Sequence, residues 1–328
     1  MMPEKIHQLP DRSTLPPLPA QAEEIVSKIE CGEILGASRS IRLLNEVFCM
    51  LADEASHLAG EELAGQLRMW ADYLIATRGA LSPAVGNAIR SVFDKLDQAA
   101  TSNSGKEVQS FVHESTEAFN RRSLEDVLKI AAYGANLLQQ GDTVMAYDYS
   151  SSVTAVLKKA AENDKTLHVI IPESRSLDGG LPILREVLEC GHSATFTVDA
   201  AIGQELRNCS SVFVGVESLC ADGGFWTTVG TCSTAILARH HHVPFYVPTE
   251  LIKFDPRSAH GIHRTTVRVE LECFDLNGFR PPRDRVRYEC DDLEYTPRRL
   301  ITAYITEEGV LPPATMSSVL REKYAQSF

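Results

Sequence analysis

The hydrophobic period of this chain changes once, at Gly141-Asp142, and that change limits the fold more than any other feature. From Gln21 to about Gln140 the apolar residues recur at helical spacing, clearest in Ile41, Leu44, Phe48, Leu51, Ala55 and Leu58, with almost no strand signal between them. Beyond that point short β-rich runs alternate with helical stretches, the pattern of a mostly parallel sheet covered by helices. The expected fold class is α/β, with a helical N-terminal domain over 21–140 and a sheet domain over 141–328. Residues 1–20, which hold Pro10, Pro16, Pro17 and Pro19, read as an extended arm. Ser82-Pro83 reads as a helix start, and Gly60 and Gly79 as helix stops.

The strands predicted in the second half are Thr143 to Tyr149, Leu167 to Glu173, Ala194 to Asp199, Val212 to Glu217 and Pro244 to Val247. Four of them end in or beside a carboxylate: Asp148, Glu173, Asp199 and Glu217. Strand carboxyl ends in an open parallel sheet share one edge, the edge where such folds bind ligands. The run Gly215-Val-Glu-Ser-Leu-Cys-Ala-Asp-Gly-Gly-Phe-Trp-Thr-Thr-Val-Gly-Thr231 adds a glycine-rich loop leading to a helix N-terminus beside Glu217, a place suited to an anion. Asp222-Gly-Gly224 reads as a turn that also lets backbone approach a ligand. Alternation around Val267 to Cys273, followed by Leu276-Asn-Gly-Phe279, predicts an inserted hairpin within 265–286.

Composition narrows the function. A chain of 328 residues, 44% hydrophobic and 23% charged, has the make-up of an ordinary soluble protein of about two domains. A net charge of −12 with no segregated basic face argues against nucleic acid as a partner. No apolar run reaches membrane-spanning length and the N-terminus lacks a signal-peptide core, so a cytoplasmic protein without a membrane partner is expected. The eight cysteines form no C-x-x-C pair and read as small hydrophobes rather than zinc ligands. His240-His-His242 point in different directions on a helix, so the triple reads as a cationic helix C-terminus and no metal is expected.

Asp148-Tyr-Ser-Ser-Ser-Val153 leads from a strand into a helix, where Ser150, Ser151 and Ser152 with the first-turn amides can cradle a phosphate, or simply cap the helix. The segment Gly141 to Ser150, the strand end Pro172-Glu-Ser-Arg175, the Gly215 to Thr231 loop, Lys253-Phe254 and Tyr304 to Leu311 together resemble one superfamily over nearly the whole chain. It comprises the aldose-1-phosphate isomerases acting on methylthioribose 1-phosphate and ribose 1,5-bisphosphate, and the regulatory subunits of translation initiation factor 2B. The resemblance implies a Rossmann-like second domain, a ligand cleft between the domains, and a homodimer or higher homo-oligomer.

Carried onto this chain, the resemblance puts Asp148 where the family has a catalytic cysteine and Glu217 where it has the partner aspartate. The regulatory subunits can also carry glutamate at the latter position. Substrate-binding positions fall on Gly36, Ala37, Ser38, Arg78, Arg175, Thr227, Thr228 and Lys253. Several depart from the pattern: Thr227-Thr228 replace an Asn-Lys pair, Arg78-Gly79 an Arg-Pro pair, and Leu35 an arginine ahead of Gly36. Lys253 is either a phosphate ligand or a solvated lysine. Asp148 and Glu217 can supply the acid that opens a sugar ring and the group that carries hydrogen from C2 to C1, with no metal, redox group or other cofactor. The expected ligand is a phosphorylated sugar, either isomerised or, in a regulatory relative, only bound.

Overall fold

The computed structural model describes residues 11–34, 36–101, 104–264, 266–270, 282, 284–287 and 289–324. The chain divides into two compact units, Met1–Glu125 and Asp126–Phe328.

The first unit is helical: α1 (Ala20–Glu30), α2 (Ala37–Glu54), α3 (Gly60–Ala76), α4 (Arg78–Leu81), α5 (Pro83–Phe93), α6 (Leu96–Ala100) and most of α7 (Gly105–Asn136). The predicted stripe is real, since Leu44, Val47, Phe48 and Leu51 of α2 are buried in one core with Leu63, Leu67 and Leu74 of α3. Pro83 opens α5, where its missing N–H costs nothing. Gly60 and Gly79 do not end helices. Gly60 is the first residue of α3, and Gly79 lies in α4, where a Cβ would come within 3.1 Å of the Gly86 Cα. Glycine at 79 suits close packing against Gly86 rather than a stop. Of the proposed arm, Leu15 and Leu18 pack on this core and the Pro16 carbonyl accepts the Trp70 indole N–H at 2.9 Å.

The second unit carries β1 (Thr143–Tyr147), α8 (Ser151–Glu162), β2 (His168–Pro172), α9 (Gly180–Glu189), β3 (Ser193–Thr197), α10 (Ile202–Glu205), β4 (Ser211–Val214), β5 (Ser218–Leu219), β6 (Phe225–Thr228), α11 (Thr231–His240), β7 (Phe245–Pro248), β8 (Arg268–Glu270), β9 (Glu289–Asp291), β10 (Leu293–Thr296), β11 (Ala303–Thr306), β12 (Gly309–Leu311) and α12 (Pro313–Lys323). Its main sheet has the order β12-β11-β7-β4-β1-β2-β3, parallel except for the edge strand β12. Side-chain alternation sends Met145 and Tyr147 to one apolar layer and Val144 and Ala146 to the other. A strand covered on both faces is apolar throughout, as β1 is.

From β1 the chain builds outward through β2 to β3, then returns to the other side of β1 for β4. The carboxyl ends of β1 and β4 therefore form the switch point where the following loops diverge and leave a crevice. All five predicted strands are present. The sequence reading missed the small sheet β10-β6-β5, which turns the glycine-rich run after β4 into a hairpin. The antiparallel pair β8 and β9 is described, whereas the predicted Leu276-Asn-Gly-Phe279 turn lies outside the described residues.

Candidate active site

Asp148 follows β1 directly, with a positive φ of 61°, a conformation that aspartate tolerates better than most residues. Ser174 Oγ donates to its Oδ1 at 2.9 Å and Thr228 Oγ1 donates to its Oδ2. Loss of water pushes the carboxyl pKa above the usual aspartate range, as does the nearby charge of Asp199, against the pull of the Thr228 and Ser174 hydroxyls and the Tyr149 amide. Gly179 is pressed against the same group, so a Cβ there would collide with Asp148 Oδ1.

Glu217 reaches this edge by another route. Tyr147 of β1 pairs with Val214 of β4, which puts Asp148 and Gly215 level at the strand ends. Gly215 lets the chain pass Ser150, whose hydroxyl a Cβ at 215 would strike. The Glu217 amide then donates to the Trp226 carbonyl at 3.0 Å and starts the β5–β6 hairpin that carries Thr228 back to Asp148. Arg264 Nη1 lies 3.8 Å from Glu217 Oε1, and its Nη2 is 3.1 Å from Asp292 Oδ2. The Arg264 side chain is only 9% exposed, so this cation sits against Glu217 with little water to screen it.

Lys253 belongs with Glu217. It is buried and its Nζ donates to the Val216 carbonyl at 2.7 Å, which corrects the solvated-lysine alternative.

The other expected residues divide. Ser150 caps α8, accepting the Val153 amide at 3.4 Å, while Ser151 is exposed and Ser152 buried. Thr228 directs its hydroxyl to Asp148, and strand alternation sends Thr227 to the opposite face of β6. Arg175 follows Ser174 in the loop after β2, 3.7 Å from Asp178. Gly36, Ala37 and Ser38 form the start of α2, and Arg78 the start of α4, in the first unit.

One local reading changes. The N-terminus of α11 holds the protein's own Glu294, whose Oε1 accepts the Gly230 and Cys232 amides at 2.6 and 2.8 Å. The Asp222-Gly-Gly224 turn brings backbone close to Tyr295, which a Cβ at 224 would strike, and Tyr304 donates to the Gly223 carbonyl at 2.8 Å. Its glycines serve packing inside the unit. His240 and His241 end α11 and stack edge-on at 4.9 Å, and His242 has a left-handed φ of 58°. Among the described residues no group of three or more His, Cys, Asp or Glu side chains is placed to hold a metal ion.

Sequence reasoning passed over Ser174, Gly179, Arg264, Asp292 and Glu294. Ser174 lies inside the quoted Pro172 to Arg175 motif, so it was within reach. Arg264 and Asp292 flank the segment read as an insertion, and nothing local ties them to Glu217.

The chain as a whole resembles known proteins. A ribose 1,5-bisphosphate isomerase from Archaeoglobus fulgidus is 29% identical to this chain over 300 residues, covering 92% of each. The crystal structure of translation initiation factor eIF-2B from Pyrococcus horikoshii matches with a TM-score of 0.74 at 25% identity, over 90% of this chain and 98% of that one. A 5-methylthioribose 1-phosphate isomerase from Pyrococcus horikoshii shares the fold, with a TM-score of 0.75 at 21% identity over 93% and 88% of the two chains. The initiation factor 2 subunit family model matches residues 33–313, and the chain belongs to that family.

Proposed function

We propose that this protein is a sugar-phosphate isomerase that converts an aldose 1-phosphate, of the ribose 1,5-bisphosphate kind, to its ketose. The observation that carries the reading is the pair of carboxylates at the switch point, one desolvated and one beside a cation. Asp148 loses water on folding and its pKa rises, which suits a group that must hold a proton and give it up. Glu217 keeps partial exposure, at 27% of its side chain, and faces Arg264. In the proposed sequence Asp148 protonates the ring oxygen as its bond to C1 breaks. Glu217 then takes the proton from C2 and returns it to C1, while the C2 hydroxyl loses its proton to Asp148 and becomes the ketone. Both carboxyl groups finish as they began.

The relatives named as isomerases support this chemistry, as does the family match. Among the described residues no helix is long and apolar enough to cross a membrane. The same reading puts the enzyme in the cytoplasm as a homodimer or higher homo-oligomer, with the ligand phosphate reached by Arg175, Lys253 and the α8 N-terminus.

A second reading draws on the likeness to eIF-2B at 25% identity: a regulatory protein that binds a sugar phosphate without converting it. Incubation with a panel of aldose 1-phosphates, with ketose formation followed by carbon NMR, separates the two. Turnover of any member supports the isomerase. Tight binding across the panel with no ketose formed would leave the regulatory reading in its place.

A further inference from the structure

Asp148 is held from outside its own strand. Oδ1 takes the Ser174 hydroxyl at 2.9 Å while Oδ2 takes that of Thr228, so the plane of the carboxyl is fixed from two sides. Ser174 is fully buried, with a φ of 52° that a serine adopts only where its surroundings impose it. Asp199, just beyond β3, imposes it: Oδ1 accepts the Ser174 amide and Oδ2 the Arg175 amide, each at 2.9 Å. The Asp178 amide donates to the Ser174 carbonyl at 2.8 Å and closes the turn. Three adjacent strand ends are thereby linked, β3 through Asp199, β2 through Ser174 and β1 through Asp148.

We propose that Ser174, seated by Asp199, is a positioning residue that aims the Asp148 carboxyl for proton transfer. The role in turnover rests on the isomerase reading above, whereas the link itself does not. Asp199 bears on Asp148 from the end of β3, one strand beyond β2, and its negative charge favours a retained proton. Tyr147 adjoins both carboxylates, and burial, followed by the Asp199 charge, keeps its phenol protonated. Ser174 therefore opposes Asp199 electrostatically while depending on it for position.

Ser174→Gly isolates the hydroxyl, because glycine takes a positive φ without strain and the loop keeps its shape. Carboxyl NMR of protein labelled with 13C-aspartate, with the Asp148 signal assigned from its loss in Asp148→Asn, follows the titration directly. Removing a donor to the carboxylate should move the Asp148 midpoint to higher pH. In the kinetic arm kcat should fall about 100-fold with KM within about twofold, the pattern of a misplaced reacting group. Asp199→Asn should lower kcat to a similar degree, and the double variant by no more than the larger single loss, because the two act through one contact. An unmoved midpoint in Ser174→Gly would overturn the proposal, and so would losses that multiply in the double variant. If wild-type protein turns over no aldose 1-phosphate, the isomerase reading falls and the midpoint alone decides whether Ser174 governs Asp148.

Discussion

Glu294 holds the Gly230 amide at 2.6 Å, so the first turn of α11 is closed by a carboxylate from β10. Helix N-termini attract anions through unpaired N–H groups and the aligned peptide dipoles. Here the protein supplies the anion itself. Glu294→Ala should destabilise the fold by about 1–2 kcal/mol, read as a lower midpoint in urea unfolding with an unchanged slope. Added phosphate should then raise the Tm of the variant more than that of wild type, since an open helix terminus can take it up. Equal responses would mean that the α11 terminus is no anion site even when vacant.

Asp148→Asn keeps the shape, and asparagine tolerates the left-handed backbone at this position. Ligand binding should be retained and turnover lost by at least about 100-fold, measured as Kd by calorimetry and kcat by ketose formation. Unchanged turnover would remove Asp148 from the mechanism.

The same substitution carries a pH signature. Folded Asp148 keeps its proton to higher pH than the unfolded chain does, because burial raises its pKa. Between the two values the native state binds more protons, so the group's contribution to stability falls as pH rises through that window. Removing the carboxyl removes this cost. The Tm of Asp148→Asn relative to wild type should therefore increase as pH climbs from acid, through the ordinary aspartate range, toward neutrality.

Gly179→Ala places a methyl group on the Asp148 carboxylate. One side must move, and the expected cost is about 1–3 kcal/mol of stability, with a drop in kcat larger than the rise in KM. A variant with wild-type kcat would show that the carboxyl can shift without consequence.

Lys253→Met preserves most of the buried stem and deletes the donor to the Val216 carbonyl. Leaving that carbonyl unpaired in the interior should cost about 1–3 kcal/mol. Because Val216 precedes Glu217, the loss should also raise KM for the phosphosugar. A destabilised variant with unaltered KM would assign Lys253 to the fold alone.

Local sequence carried much of the architecture. The helical stripe through Leu44, Phe48 and Leu51, the apolar β1, and the carboxylates after β1 to β4 are all readable because periodicity of 3.6 or 2 and strand ends are short-range properties. So was the placing of Asp148 and Glu217 after neighbouring parallel strands, since strand polarity in a parallel sheet follows from the alternation of strands and helices. What a residue does at that edge was another matter. Thr228 meets Asp148 from 80 positions along the chain, Glu294 reaches Gly230 from 64, and Arg264 pairs with Glu217 from beyond β5, β6 and β7. Such partners are chosen by the packing of β5, β6 and β10 against the sheet. A hydroxyl or carboxylate in a sequence has the same chemistry whether it faces a ligand, a helix end or another side chain, and only the folded chain decides which.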